Sequence, residues 1–315
     1  MAVGLSCVVA TNAVSWISEL LVALIIGVVA ANLPITHLRV AVSHADTLTG
    51  ARALLRVGVV MLGFRLPVGD IVAIGLPGVT VIIATVALTY KMTCVLGDRL
   101  GLSRGLVTLI ASGFAVCGAA AIAAVEGNVR RRDQDPALAI AMVTIFGTLM
   151  MVGVPIVASQ LTFSDRQLGV WAGASIHEVG QVVAAASSAG AGAVAVATTV
   201  KLGRVALLSV VYIAALARDG RRPVNPDVSS PPLMPWFVWG FVLAVVIRSV
   251  GFLPDEVLNH IDSLTTTCLA AGMFGLGLEI RVASLFPLPL RVLWLSAAST
   301  VVAASVAGGL TVMLV

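Results

Sequence analysis

Most apolar residues of this chain fall in runs long enough for a helix to cross a bilayer. Short charged or proline-containing segments separate these runs. Eight such runs predict membrane-crossing helices, at residues 15–33, 50–66, 73–97, 137–158, 194–217, 235–253, 263–280 and 290–314. A helix needs about 20 mostly apolar residues to cross the hydrocarbon core. The strand-like alternation of membrane β-barrels is absent from the sequence. The pattern therefore predicts an all-α polytopic membrane protein.

Composition supports the same class. Charged residues make up 11% of the chain, and the mean hydropathy is +1.07. Soluble domains have about a quarter of their residues charged. The net charge of +4 lies in loops, so it indicates membrane topology and gives no sign of a nucleic-acid partner.

Two further apolar segments, 105–127 and 168–190, are rich in glycine, alanine and serine. Basic residues flank the first on both sides, at Arg99 and Arg104 before it and at 130–132 after it. Because basic loops face the cytoplasm, this segment should enter and leave on that side, and 168–190 on the opposite side. Both are then re-entrant or broken segments. The alternative is that both are ordinary crossing helices, which small residues pack tightly against their neighbours.

Internal similarity suggests an inverted repeat. The similar segments are 58–66 with 272–280, 111–124 with 172–185, and 146–148 with 202–204. Inverted repeats that meet at interrupted segments near the midplane are typical of secondary transporters. We therefore predict a single transporter domain over residues 1–315. Its peripheral spans (15–97 and 235–314) would surround a transport core (105–217).

The candidate chemistry lies in the small-residue segments. His177 and Glu178 are adjacent, and Lys201 and Arg204 are three residues apart on one helical face. Ionisable groups are costly in hydrocarbon and usually line a pathway. Two cations suit an oxyanion, and an imidazole beside a carboxylate suits proton coupling. Alternatively, the His-Glu pair only fixes local geometry, or one cation only neutralises Glu178.

Other small and polar residues complete the predicted substrate site. With the two cations, they are Ser112, Gly113, Cys117, Gly118, Thr144, Thr148, Ser175 and Gln181. Backbone donors at helix N-termini near the tips of both segments would add to it. Thr148 is the repeat mate of Arg204 and should approach it.

No metal or other cofactor is expected. The run from His177 to Gln181 nearly matches a zinc-protease helix, but glutamine stands where the second histidine is required. The four cysteines show no metal-type spacing. A membrane enzyme is disfavoured, since neither a metal set nor a nucleophile–base motif is present.

Several segments also resemble one known family. They are Leu54–Leu66, Cys117–Ala124, Phe146–Thr148 with Pro155, Trp171–Glu178, Ala197–Val205 and Pro235–Val238. These resemble the YeiH-like sulfate exporter family, from about residue 20 to the C-terminus. The resemblance implies a multi-pass secondary transporter of the bacterial inner membrane, distantly similar to the bile-acid and cation/proton antiporter superfamily. One departure is Ala120, where the family has serine.

Together, the residues and the resemblance predict a secondary active transporter of a small oxyanion. The substrate would be like sulfate or a sulfonate, moved by alternating access with proton coupling. A passive anion channel on the same scaffold is one alternative. A transporter of another small organic anion coupled to sodium is another. The expected partners are the small anion and the lipid bilayer, with a homodimer as one assembly that the sequence allows.

Overall fold

The chain is helical throughout the part that the computed structural model describes, residues 19–33, 45–219, 236–279 and 289–315. The α-helices are α1 (Glu19–Asn32), α2 (Ala45–Leu62), α3 (Val68–Arg99), α4 (Arg104–Ala115), α5 (Ala119–Val125), α6 (Asp135–Gln160), α7 (Asp165–Ser175), α8 (Val179–Ala186), α9 (Ala191–Ala206), α10 (Leu208–Asp219), α11 (Trp236–Val250), α12 (Asp255–Glu279) and α13 (Leu290–Leu314). Short 3-10 turns follow α2, α5 and α8. The prediction of an all-α polytopic membrane protein is confirmed.

Five helices among the described residues are long and apolar enough to cross a membrane. They are Val68–Arg99, Asp135–Gln160, Ala191–Asp219, Asp255–Leu278 and Leu290–Leu314. They correspond to five of the eight predicted spans. The other three predicted spans correspond to the shorter helices α1, α2 and α11, and their membrane crossing stays a prediction. Positions 15–18, 235 and 280 of the predicted runs lie outside the described residues.

The described chain forms two compact units. The first unit contains α1, α2, α11 and α12. Glycines allow the backbones of its helices to pack closely. At Gly27 of α1 there is no room for a side chain, because a Cβ there would lie only 2.2 Å from the carbonyl oxygen of Phe274 on α12. Such close approach at small residues is how membrane helices pack without a hydrophobic driving force between them. Arg65, just after α2, donates a hydrogen bond of 2.7 Å to Thr266 of α12.

The second unit contains α3 to α10 and α13. Its first helix is kinked at Gly75, where φ is +74°, two residues before Pro77. Proline has no N–H, so the carbonyl of Ala73 loses its helical partner. Arg166 of α7 donates hydrogen bonds to Ala73 (3.4 Å) and to Ile74 (3.2 Å). A guanidinium thus satisfies the carbonyls that the kink leaves free.

The order of elements in the second unit occurs twice. A short helix, a break, a second short helix, a 3-10 turn and a long helix follow one another from α4 to α6 and again from α7 to α10. The breaks fall at residues 116–118 and 176–178, inside the two segments rich in small residues. Both segments are therefore broken helices in the structure.

The first broken segment turns back on itself. A Cβ on Gly105, at the start of α4, would lie 2.0 Å from the carbonyl oxygen of Arg130. Arg130 follows α5 and its 3-10 turn by two residues. The chain therefore leaves this segment close to the point where it enters.

The second broken segment also turns back on itself, and it begins at the far end of α6, whose 26 residues separate it from the first. Gly169 and Gly173 of α7 pack on the carbonyls of Ala193 and Ala197, so α9 runs alongside α7 in the same direction and begins level with it. Because α8 ends five residues before α9 begins, α8 must return towards the start of α7. The backbone is thus that of a hairpin, while the position of both hairpins in the membrane stays a prediction.

Labelling of single cysteines tests this membrane position. In a cysteine-free background, Arg104→Cys and Arg130→Cys should both react with a membrane-impermeant thiol reagent from the cytoplasmic side, because the two positions lie at the same end of the unit. Asp165→Cys and Ala191→Cys are the matched controls and should react only from the opposite side. Labelling of Arg104→Cys and Arg130→Cys from opposite sides would show that 105–127 crosses the membrane.

Candidate functional site

The two breaks meet at a single lysine. Lys201 lies on α9 and is fully buried. Its Nζ donates to the carbonyl oxygen of Val116 (2.9 Å) and to that of Ile176 (2.7 Å). These carbonyls occupy the same position in each break, directly after the last residue of α4 and of α7. One ammonium group therefore joins the two broken segments.

Arg204 lies one turn further along α9 and extends this contact. Its side chain is fully buried, and its three nitrogens make five hydrogen bonds to backbone carbonyls. The acceptors and distances are Phe114 (2.8 Å), Ala115 (2.8 and 3.1 Å), Ile176 (3.0 Å) and Gly173 (3.5 Å). A guanidinium has five N–H donors. Every donor of Arg204 is thus directed at the ends of α4 and α7.

The helix breaks explain why cations lie here. The last carbonyls of a helix have no partner within it and carry partial negative charge. In an apolar unit they cannot turn to water, so basic side chains that hydrogen-bond to them are stabilising. Lys201 and Arg204 come from one helix and serve two C-terminal ends together.

Glu178 supplies the opposite charge. It precedes α8, and its buried carboxylate lies beside the backbone N–H of Ala119, at the start of α5. Gly118 makes room for it: the glycine has φ of +75°, and a Cβ there would lie 2.8 Å from Cγ of Glu178. Any other residue at this position would be strained and would also collide with Glu178.

His177 lies in the second break and is fully buried. Its ring packs on Phe114, with the two ring centroids 4.4 Å apart, and its Nε2 lies 3.5 Å from the hydroxyl of Thr300 on α13. Within the described ranges, no hydrogen bond or ion pair joins the imidazole to the carboxylate of Glu178. The two neighbours in sequence therefore face different parts of the site.

A polar group lies between α8 and α6. The Nε2 of Gln181 is 3.4 Å from the carbonyl of Thr144 and 3.4 Å from the hydroxyl of Thr148. Gly147 makes room for this amide, because a Cβ there would lie 2.1 Å from Oε1. Neither Gln181 Oε1 nor Thr144 Oγ1 has a hydrogen-bond partner in the part of the chain that is described. Thr148, expected beside Arg204, lies beside Gln181 instead.

The remaining predicted residues have structural surroundings. The hydroxyls of Ser112 and Ser175 donate to carbonyls four residues earlier in their own helices, at 2.8 and 2.6 Å. Cys117 is buried in the first break, and Gly113 packs against Ile122 and Val143. The carbonyl acceptors and Thr300 are not among the residues predicted from the sequence.

Two buried basic side chains of α9, Lys201 and Arg204, and one buried carboxylate, Glu178, lie at the breaks. Around His177 and Glu178, and elsewhere in the described chain, no three histidine, cysteine or acidic residues are grouped so as to bind a metal ion. The absence of a cofactor stays an expectation. What the arrangement offers is positive charge and hydrogen-bond donors inside an apolar unit.

These features define a polytopic membrane protein with a buried charged centre at two broken helices. A model of the family described as "Conserved hypothetical protein 698" matches residues 1–296. A UPF0324 membrane protein of Corynebacterium glutamicum is 40% identical over 294 residues, covering 93% of this chain and 84% of the relative. The UPF0324 inner membrane protein YeiH of Escherichia coli K12 is 32% identical over 272 residues, covering 85% and 78%. No solved structure matches the chain.

The chain belongs to the UPF0324 membrane protein family and is YeiH-like over its length. The family resemblance of the sequence segments is thereby confirmed. The protein is a multi-pass inner-membrane protein, like its E. coli relative. The relatives' names state no substrate.

Proposed function

We propose that this protein is a secondary active transporter of a small oxyanion, like sulfate or a sulfonate, which works by alternating access and is coupled to protons. One observation carries the proposal. Lys201 and Arg204 are fully buried where two broken helices meet, and a single carboxylate, Glu178, lies with them. The centre therefore has more positive than negative charge.

Surplus charge in an apolar interior requires compensation. Burying an ion without a partner is expensive, and in membranes such groups lie on substrate pathways. An anion bound at the breaks would neutralise the surplus. It would leave again when the site opens to water, which is the behaviour that a transported substrate requires.

The two cations differ in what they can offer an anion. All five N–H groups of Arg204 are directed at carbonyls. Lys201 uses two of its three donors on Val116 and Ile176, so one N–H remains. In the proposal, Lys201 contacts the anion directly, while Arg204 holds the breaks together and adds charge. The unpaired oxygens of Gln181 and Thr144 would accept hydrogen bonds from water or from a donor on the substrate.

The architecture of the second unit supports transport. Its elements occur twice, and the two hairpins begin at opposite ends of the unit. Inverted repeats with broken helices at the bilayer midplane are typical of secondary transporters, in which one bundle rocks about a central site. The inverted repeat, the membrane topology, a single domain and a homodimer belong to this proposal.

Two alternatives make different predictions. Sodium coupling would need free oxygen ligands. Lys201 and Arg204 already donate to five carbonyls at the two helix ends, which favours protons. A passive channel would only dissipate a gradient of labelled anion, whereas a transporter exchanges internal for external anion in counterflow.

Removing the charge of Lys201 tests the proposal. Lys201→Gln keeps two N–H donors for the two carbonyls but loses the positive charge. In proteoliposomes at equal pH on both sides, we expect exchange of radiolabelled sulfate to fall at least tenfold. Thermal stabilisation of the purified variant by sulfate should be lost as well, because a ligand stabilises only a protein that binds it.

Lys91→Gln is the matched control, since it removes the only other lysine of the chain, an exposed one on α3. This control should exchange sulfate like the wild type. Wild-type exchange and sulfate stabilisation in Lys201→Gln would contradict the assignment of the anion site.

His177 should couple transport to protons. A histidine changes charge between about pH 5 and 8, and protonation of His177 would add positive charge close to the anion. His177→Gln keeps a hydrogen-bonding side chain but cannot titrate. We expect it to abolish sulfate accumulation driven by a pH gradient, to flatten the pH profile and to retain exchange at equal pH.

The measurement compares accumulation and exchange in the same vesicles. A His177→Gln protein that concentrates sulfate with the pH dependence of the wild type would leave His177 a purely structural role.

A further inference from the structure

A row of buried hydroxyls lies between two of the long helices of the second unit. We call it the hydroxyl file; its members are Thr85, Thr89 and Thr93 of α3 and Ser296, Ser299 and Thr300 of α13. Five of them are fully buried, and Thr300 is 8% exposed. Apart from Thr300, which contacts His177, none of them belongs to the site described above.

One hydrogen bond joins the members on α3 to those on α13. Thr85, Thr89 and Thr93 recur every four residues, so they share one face of α3 and extend over about 12 Å. At one end of this face, Thr93 donates a hydrogen bond of 2.8 Å to Ser299. The threonine face of α3 is therefore turned towards α13.

Three members of the file lack the usual partner. A buried serine or threonine in a helix commonly donates to the carbonyl four residues earlier, as Thr265 does in the first unit. Among the described residues, the hydroxyls of Thr85, Thr89 and Ser296 have no hydrogen-bond partner. Because a buried polar group without a partner is costly, these three hydroxyls are free to hydrogen-bond to water.

The file also reaches the charged centre. Thr300 follows Ser299 directly, and its hydroxyl lies 3.5 Å from Nε2 of His177. The charged groups that act on His177 are Lys201 and Arg204 of α9, and Glu178 follows it in the chain. Cys117, in the first break, lies near the same two basic side chains. On the side of α13, the hydroxyl of Thr300 lies next to the imidazole.

We propose that the hydroxyl file holds a chain of water molecules that carries protons to and from His177. A proton passes along the chain as each oxygen accepts one proton and releases another, and it ends on Nε2. This inference rests on the proposed function, in which His177 couples transport to protons. It adds a route by which a fully buried imidazole exchanges protons with water while the anion site stays closed.

Radical footprinting tests whether the file is hydrated. An X-ray pulse produces hydroxyl radicals from water in place, and cysteine next to such water is oxidised rapidly. With the four native cysteines replaced by alanine, Thr85→Cys, Thr89→Cys and Ser296→Cys should be oxidised at least ten times faster than Thr265→Cys. Thr265 is a matched control, because it is fully buried and its hydroxyl has a carbonyl partner.

Transport assays test the proton route. Thr89→Val keeps the shape of the side chain and removes the hydroxyl. In proteoliposomes, it should reduce sulfate accumulation driven by a pH gradient at least tenfold and leave sulfate exchange at equal pH within twofold of wild type. Thr265→Val should behave like wild type in both assays.

The outcomes separate this inference from the proposed function. If the cysteines at positions 85, 89 and 296 are oxidised no faster than the cysteine at position 265, the hydroxyl file is not hydrated and the inference fails. This holds whatever the transport assays give. Wild-type accumulation by Thr89→Val would overturn its proton role. The proposed function fails separately, if wild-type protein neither binds nor exchanges sulfate; rapid oxidation of the three cysteines would then still show the file to be hydrated.

Discussion

Backbone carbonyls without helical partners are the constraint on which the second unit depends. Two helices break inside an apolar unit, and the broken ends cannot turn to water. Lys201 and Arg204, both on α9, together donate seven hydrogen bonds to the carbonyls at the C-terminal ends of α4 and α7. Arg166 does the same at the kink of α3. In both places a basic side chain makes irregular backbone tolerable where lipid-like surroundings exclude water.

This solution has an electrostatic consequence that links fold to function. Satisfying the carbonyls with cations brings two positive charges into the interior, and Glu178 offsets one of them. In the proposed function, the remaining charge favours an anion at the breaks, and His177 lies in the second break. In the proposed function, the same residues stabilise the broken helices and bind the charged substrate. The specificity of such a site would come from its charge and from the one free N–H of Lys201.

Much of the fold could be predicted from the sequence, because apolar runs and small-residue segments are local patterns. The ionisable residues of the site were also predictable, since His177, Glu178, Lys201 and Arg204 stand out in apolar surroundings. Their partners were not predictable. The acceptors for Lys201 and Arg204 are backbone carbonyls, which any residue has, and they lie up to 90 residues away in sequence. The contact of Thr300 with His177 joins residues 123 positions apart, and no sequence pattern relates them.

The central claim is that an oxyanion binds at the two helix breaks beside Lys201. Anomalous diffraction from crystals soaked in selenate, an isostere of sulfate with a strong anomalous signal, tests it most directly. The account predicts one buried selenium peak within hydrogen-bond reach of Lys201 Nζ, which disappears in Lys201→Gln crystals. Selenium peaks confined to the exposed arginines at the ends of the helices, with none at the breaks, would contradict it.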